Sequence, residues 1–160
     1  MQHVSATRII HATPAEIWTL VGDVTTVSRW HPAVQTADLL SDKPTGLGAA
    51  RRCNFYDGTS VREEVVDLDE GHRVRLQLSE FSVPMKRLEA EVSLAPTVDG
   101  QTEATFELFY EVKFGLLGKL LGATAIRREL RGVAGKVLAG LGHHLSTGEL
   151  VGKDFKAKAA

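Results

Sequence analysis

Residues 86–113 read KRLEAEVSLAPTVDGQTEATFELFYEVK and contain two segments in which apolar and polar side chains alternate. The apolar positions are Leu88, Ala90, Val92 and Leu94, followed by Ala104, Phe106, Leu108, Tyr110 and Val112. Successive side chains of a strand point to opposite faces, so this period of two predicts β-strands at 86–95 and 102–113. Each strand has one apolar face, and the turn signal Asp99-Gly100 between them predicts an antiparallel hairpin.

The region between Val34 and Ser82 contains further candidate strands, separated by glycine- and proline-containing turns. The predicted strands are 34–41, 47–56, 59–68 and 72–82, and an opening strand is predicted at 3–12. Because most connections are short, consecutive strands are expected to pair as antiparallel hairpins. The result is a seven-stranded antiparallel sheet with one apolar face, which another part of the chain must cover.

Two short helices are predicted between the first and second strands. The first, about 14–21, begins with an N-cap, a first-position proline and an acidic first turn, supplied by Thr13, Pro14 and Glu16. This helix is expected to bury Ile17, Trp18 and Val21. The second ends near Trp30, because Pro32 disfavours a helical conformation at the residue before it.

The cover for the sheet is predicted at about 117–147, where apolar residues recur at helical spacing. They include Leu117, Leu121, Ile126, Leu130, Val133, Val137, Leu138 and Leu141. A sheet covered by one long helix places the chain in the α+β class. The helix contains glycines at 132, 135, 140 and 142, each costing ~1 kcal/mol relative to alanine. They indicate either a place where the helix backbone and the sheet approach closely or a place where space is left open.

The composition argues against several classes of function. The chain has 160 residues, of which 43% are hydrophobic and 24% charged, as expected for one soluble domain, 1–151, followed by a flexible tail, 152–160. A net charge of -1 provides no basic surface for nucleic acid. No stretch approaches the ~18 apolar residues of a membrane span, so no stable membrane insertion is expected.

The cysteine, histidine and glycine patterns give expectations about location, metal binding and cofactors. Cys53 is the only cysteine and the N-terminus lacks a signal-peptide pattern, so the cytoplasm is the expected location. The histidines show no metal-ligand spacing and the glycines form no phosphate loop, so neither a metal nor a cofactor is expected. The oligomeric state stays open, a homodimer included.

A series of motifs runs along the chain in order: ATPAEIW at 12–18, WHP at 30–32, GAARR at 48–52, VREEVVDLD at 61–69 and RREL at 127–130. In this order and spacing they resemble the SRPBCC superfamily, especially its polyketide cyclase/dehydrase-like branch. The resemblance covers nearly the whole chain. It implies the START-like helix-grip fold, a curved seven-stranded antiparallel sheet wrapped around a long C-terminal helix, with two short helices after the first strand.

The resemblance also implies an internal cavity for a small hydrophobic molecule, between the sheet and the C-terminal helix. It does not imply a single chemistry, because members of the superfamily include lipid carriers, plant hormone receptors and aromatic polyketide cyclases. Fold by itself therefore leaves the function open.

Two charged residues fall among apolar positions of neighbouring strands. If one face of the third strand turns inward, it carries Leu47, Ala49, Arg51, Cys53 and Phe55, and the next strand contributes Val61, Glu63 and Val65. Arg51 and Glu63 are equidistant from the turn at 57–58, so they are expected to lie opposite each other and to compensate each other's burial. Two alternatives stay open: the opposite parity, with Arg52, Arg62 and Glu64 inward or at the edge, and a pair that only fixes the hairpin.

The candidate ligand-binding residues are those expected to line the space between sheet and helix. They are Trp30, Arg51, Cys53, Phe55, Glu63, Val65, Leu76, Leu78, Leu88, Ala90, Phe106, Leu108, Tyr110, Leu117 and Leu121. The resemblance supports Arg51 and Glu63, because Arg and Glu at similar positions border the ligand in the hormone receptors of the superfamily. The candidates for acid–base chemistry are Arg51, Glu63 and Tyr110.

Tyr110, Cys53 and His31 each have a structural interpretation beside the functional one. The Tyr110 hydroxyl needs a polar partner, either a ligand or a neighbouring carbonyl. Cys53 is most simply a small buried hydrophobe. His31 is either a base at one end of the cavity, an exposed residue or a residue that caps a turn.

Three functions are compatible with these features. The first is binding of a lipid, an aromatic or an isoprenoid- or polyketide-like molecule, which the continuous apolar inner surface favours. The alternative is a cyclase or dehydratase that uses the same cavity and requires a positioned acid–base pair. The second alternative is a protein-interaction module with a collapsed cavity, indicated only by Phe109 on an otherwise polar strand face.

Overall fold

The computed structural model describes residues 1–113 and 123–157, and these residues form an antiparallel sheet and three helices. The strands are β1 (Gln2–Ile10), β2 (Val34–Leu39), β3 (Ala50–Phe55), β4 (Ser60–Asp69), β5 (Arg73–Ser79), β6 (Met85–Pro96) and β7 (Thr102–Val112). The helices are α1 (Pro14–Val21), α2 (Val27–Trp30) and α3 (Ala123–Thr147). The predicted α+β helix-grip architecture is confirmed. Residues 117–122 of the predicted long helix, with Leu117 and Leu121, lie outside the described residues.

The seven strands follow the order β1-β7-β6-β5-β4-β3-β2, so β2 to β7 pair as consecutive hairpins and β1 returns to pair with β7. The register aligns inward-facing side chains in rows across the sheet. One row runs from Arg51 and Glu63 through Leu78 and Leu88 to Tyr110. The next row joins Val65, Leu76, Ala90, Leu108 and Val4. The alternation read from the sequence is therefore the inside and outside of one curved sheet.

Helix α1 begins as predicted, and one of its expected core residues is only half-buried. Thr13 and Glu16 form a capping box, which satisfies two backbone N–H groups at the helix start. Ile17, Leu20 and Val21 are buried. Trp18 remains partly exposed because its indole N–H donates to the Glu70 carboxylate, 3.0 Å away.

Helix α3 covers the apolar face unevenly. Its second half is packed into the core, where Val137, Leu138 and Leu141 are all but inaccessible to solvent. In its first half Ile126 and Leu130 are only half-buried, and Val133 is exposed. The helix therefore closes one end of the sheet firmly and lies more loosely over the other.

The glycines of α3 also differ between the first and second halves of the helix. A side chain at Gly140 would collide with the carbonyl oxygen of Trp30, because the end of α2 lies directly against the helix there. Gly132 and Gly135 have no neighbouring atom within 4 Å of the position of a Cβ atom. The predicted open space applies to Gly132 and Gly135, but the predicted close approach to the sheet is wrong for Gly140, whose close neighbour is the end of α2.

On the convex face, two glutamates expected to be solvated are covered. Glu89 and Glu91 are only 3% and 6% exposed. Arg87 donates to Glu89 at 2.7 Å and Arg75 donates to Glu91 at 2.7 Å, so the arginine stems lie over the carboxylates. The Arg75 guanidinium also lies 4.7 Å from the ring centroid of Phe109, so this aromatic side chain has an intramolecular partner.

The chain after α3 turns back onto the domain. Val151 is buried, and its N–H donates to the carbonyl of Arg29 at 2.9 Å. In the following segment the ring of Phe155 lies 5.2 Å from that of His143. The expected domain boundary at 151 and the flexibility of residues 152–160 stay predictions.

A pair of glycine substitutions tests the uneven packing of α3. Gly140→Ala is expected to destabilise the protein by about 1–3 kcal/mol, because the new methyl group forces the helix away from Trp30. Gly135→Ala is expected to stabilise it by up to ~1 kcal/mol, because the position is open and alanine favours the helix. Urea unfolding followed by circular dichroism measures both. Equal effects of the two substitutions would show that α3 is packed evenly.

Candidate functional site

A buried ion pair between Arg51 and Glu63 joins β3 to β4. The two residues are register partners, and Arg51 Nε donates to Glu63 Oε2 at 2.6 Å. Both are buried, which confirms the predicted inward parity. The residues of the alternative parity lie on the opposite face, where Arg62 pairs with Glu64 and Arg52 with Glu80.

One residue of the predicted inward set is misplaced. Leu47 is 69% exposed, whereas Ala49 is buried. β3 begins only at Ala50, and Leu47 lies in a loop between Gly46 and Gly48, both with positive φ. These two glycines take the chain out of the extended conformation, so strand alternation does not apply to Leu47.

Arg51 also ties the sheet to the connection between α1 and α2. Its Nη1 donates to the backbone carbonyl of Val24 at 3.0 Å, and the Val24 N–H donates to Pro44 at 2.9 Å. The Cys53 thiol donates to Glu63 Oε2 at 3.6 Å. The buried charges are therefore compensated by each other and by neighbouring polar groups, as burial of an ion pair requires. The Val24 carbonyl was not foreseen, because a backbone acceptor carries no signal in the sequence.

His31 belongs to the same polar cluster. Its Nδ1 accepts a hydrogen bond from the Ala33 N–H at 3.1 Å. His31 therefore caps the turn at Pro32, which is one of the roles predicted for it. Burial lowers the pKa of His31 to about 4; the charge of Glu63 opposes this shift, and that of Arg51 adds to it. At neutral pH the imidazole is therefore uncharged. Its proximity to the Arg51–Glu63 pair depends on how α2 sits against the sheet, which the sequence did not predict.

Cys53 has the environment of a core residue and not that of a nucleophile. Burial raises the pKa of its thiol to about 12, and the charge of Glu63 raises it further than Arg51 lowers it. The thiolate is the reactive form of cysteine, so this side chain is inert at neutral pH.

The other predicted site residues in the described chain lie on or beside the concave face. Trp30 is buried and its indole N–H donates to the Thr26 hydroxyl at 3.1 Å. Phe55 and Leu78 are half-buried, and the remaining apolar members, Val65, Leu76, Leu88, Ala90, Phe106 and Leu108, are buried. Within residues 1–113 and 123–157, no group of three His, Cys, Asp or Glu side chains could hold a metal ion, and no helix is long and apolar enough to cross a membrane.

Tyr110 lies at the opposite end of the row that begins with Arg51. Three strand spacings separate β4 from β7, which places Tyr110 roughly 14 Å from Glu63 along the sheet. Tyr110 borders a space of about 430 Å³ near the start of α3, together with Met1, Gln2, His3, Thr124 and Arg127. Of the three candidates for acid–base chemistry, the fold therefore brings Arg51 and Glu63 together and leaves Tyr110 apart from them.

The neutral state of His31 makes stability depend on pH. The pKa is about 6.5 in the unfolded chain and about 4 in the folded one, so protonation favours unfolding. The contribution of His31 is complete above pH 6.5 and is lost as the pH falls to 4, on the order of 1–3 kcal/mol. His31→Gln is expected to reduce the loss of unfolding free energy between pH 7 and pH 4.5, measured by urea titration. His72→Gln, at an exposed site, is the control and should retain the wild-type slope; an unchanged slope in His31→Gln would contradict the assignment.

Comparison with known proteins agrees with this architecture. A solved structure of XoxI from Bacillus cereus superposes with a TM-score of 0.76 at 13% identity, covering 92% of this chain and 97% of that chain. A solution structure from Thermobifida fusca gives 0.71 at 25% identity, covering 91% and 94%. Major latex-like protein 151 from Panax ginseng gives 0.71 at 16% identity, covering 89% and 96%.

The superpositions show only the fold, whereas the sequence comparison identifies a family. No curated protein matches the chain. Residues 1–145 match the sequence pattern of the family described as polyketide cyclase / dehydrase and lipid transport, and they include all seven strands and most of α3. The chain therefore belongs to this family, within the SRPBCC superfamily that its motifs resemble.

Proposed function

We propose that this protein binds a small hydrophobic molecule between the concave face of the sheet and the first half of α3. The observation that carries the proposal is a difference in accessibility between the concave face of the sheet and the second half of α3. On the sheet, 5–8% of each side chain remains exposed at Leu76, Leu88, Ala90, Phe106 and Leu108, whereas Val137, Leu138 and Leu141, which belong to the second half of the helix, are 1% exposed. Incomplete coverage of a continuous apolar surface is what a ligand cavity requires.

The polar groups suggest how such a ligand is oriented. Glu63 and Leu78 are register partners, so the ion pair borders the apolar area from one side. We infer that a polar group of the ligand meets the Arg51–Glu63 pair, while its apolar body lies along β5, β6 and β7. A charged pair at the edge of an apolar pocket fixes orientation with few polar contacts.

Binding is favoured over catalysis by the chemistry of the available side chains. An acid–base mechanism needs two groups within reach of the same reacting atoms. Tyr110 is three strands away from Glu63, Cys53 is held as a thiol and His31 is a weak base. A cyclase or dehydratase would need a different set of groups from the one predicted.

Filling the proposed space tests the proposal directly. Ala90→Phe places a large ring between Leu76 and Leu108 on the concave face. It is expected to lower affinity for the uncharged fluorophore N-phenyl-1-naphthylamine by about tenfold or more while the fold is retained, because the ring occupies the ligand's volume. The control is Ala125→Phe, at an exposed position of α3.

Fluorescence titration gives the affinity, and native mass spectrometry of the purified wild-type protein reports any molecule that remains bound. If the space is already filled by side chains, Ala90→Phe will instead destabilise the protein by about 1–3 kcal/mol and the wild-type protein will not bind the fluorophore. That result would favour the interaction module over the binding protein.

The role of the ion pair is tested by removing both charges together, because Glu63→Leu alone leaves Arg51 without its buried partner. The double variant Arg51→Met/Glu63→Leu is expected to fold and to bind 2-naphthol about tenfold more weakly, since the hydroxyl loses a hydrogen bond to a charged group. Naphthalene, which has no hydroxyl, should bind as before. Equal changes for both compounds would show that the pair only fixes the hairpin.

A further inference from the structure

A second concave feature lies outside the space under α3, where the end of β1 meets the end of that helix. It is a groove of about 490 Å³. Its lining residues come from three parts of the chain: Arg8, Ile9, Ile10 and His11 from β1 and the turn after it, Ala139, Gly142, His143, Ser146 and Thr147 from α3, and Phe155 and Lys156 from the C-terminal segment. The volume is within the range of small-molecule sites, ~300–1,000 Å³.

The charged groups of this groove are of one sign. Arg8 and Lys156 are cationic, and the lining contains no carboxylate. Outside the lining, the Glu149 carboxylate lies 3.1 Å from His143 Nε2 and is largely exposed. Apolar surface from Ile9, Ile10 and Phe155 completes the walls.

Arg8 is the central feature of this site. Its place opposite Ala104 in the register puts it on the inward side of the edge strand, toward α3. The guanidinium Nε lies 3.8 Å from where a Cβ of Gly142 would be, so the missing side chain leaves room beside it. Within the described residues Arg8 forms no ion pair and no hydrogen bond, although it is half-buried. The other buried arginine, Arg51, has a carboxylate and a carbonyl as partners.

The end of the helix does not oppose an anion as strongly as an uncapped terminus would. Helix C-termini carry partial negative charge on unpaired carbonyls. Here the His143 carbonyl accepts hydrogen bonds from the Ser146 and Thr147 hydroxyls, and the His144 carbonyl accepts one from the Gly148 N–H. The formal charges of Arg8 and Lys156 therefore dominate the groove.

We propose that this groove binds a small organic anion, with a carboxylate, sulfonate or phosphate group on Arg8 and an apolar body against Ile9, Ile10 and Phe155. The guanidinium can donate two parallel hydrogen bonds to such a group, and Lys156 adds a second charge at the rim. The site is separate from the proposed space under the first half of α3, so the protein carries two ligand sites of different chemistry.

Nuclear magnetic resonance titration of the full chain tests the site, with naphthalene-2-sulfonate as the anion and 2-naphthol as its uncharged counterpart. The sulfonate is expected to shift the backbone amide signals of Ile9, Ile10, Gly142 and Ser146, and 2-naphthol is not. Arg8→Gln should weaken sulfonate binding on the order of tenfold, because a charge-assisted hydrogen bond is lost. Arg128→Gln, at an exposed position of α3, is the control and should bind the sulfonate with wild-type affinity.

Three results would overturn the proposal: sulfonate shifts confined to the concave face of the sheet, equal affinity of Arg8→Gln and wild type, or equal shifts of the groove amides by the uncharged compound.

If Arg8→Gln does not give a native spectrum, Arg8→Lys takes its place, since it keeps the charge and loses the paired donors. Its affinity should then fall below wild type, and Phe155→Ala, outside the core, should weaken binding of the naphthalene body. Unchanged affinity in both variants would equally end the proposal.

Discussion

The single apolar face of the sheet is the constraint on which the rest of this structure depends. Seven antiparallel strands carry most of their charged side chains on one side and most of their apolar side chains on the other. Such a face must be covered, and α3 is the element that covers it. The helix does so tightly only from Ala134 onward, where Gly140 allows it to rest against the end of α2. Because this contact fixes one end of the helix, the position of the other end determines how closely the helix covers the sheet there.

Charged side chains are paired in different ways on the two faces of the sheet. On the concave side Arg51 and Glu63 are isolated among apolar residues, and they are stable there only because they neutralise each other and reach the Val24 carbonyl. On the convex side arginines lie over glutamates in a continuous layer that includes Arg73, Arg75 and Arg87. The first arrangement joins the sheet to the short helices, whereas the second covers strands that no helix covers. The polar side chains of the concave face therefore help to position the short helices, whereas those of the convex face cover the strands.

The site residues illustrate the limits of reading faces from alternation. The pattern placed Arg51 opposite Glu63 correctly, because register within a hairpin follows from the turn that closes it. It also put Tyr110 on the correct face, but it gave no distance between residues on strands that are not neighbours. Leu47 was misplaced because two glycines with positive φ end the strand pattern before it. Turn capping was one of the roles predicted for His31, but its proximity to the ion pair was not predicted, since that depends on the position of α2.

The sequence by itself determined the strands, the helices, the inward face and the family, because each depends on local periodicity or on motifs in order. Turn chemistry also determined the pairing of neighbouring strands. Only the tertiary structure decided which half of α3 is firmly packed, that Tyr110 lies three strands away from Glu63, and that Arg8 reaches a groove lined in part by the C-terminal segment. These features join residues far apart in the chain, and their geometry follows from the curvature of the sheet and the docking of helices, which no local pattern encodes.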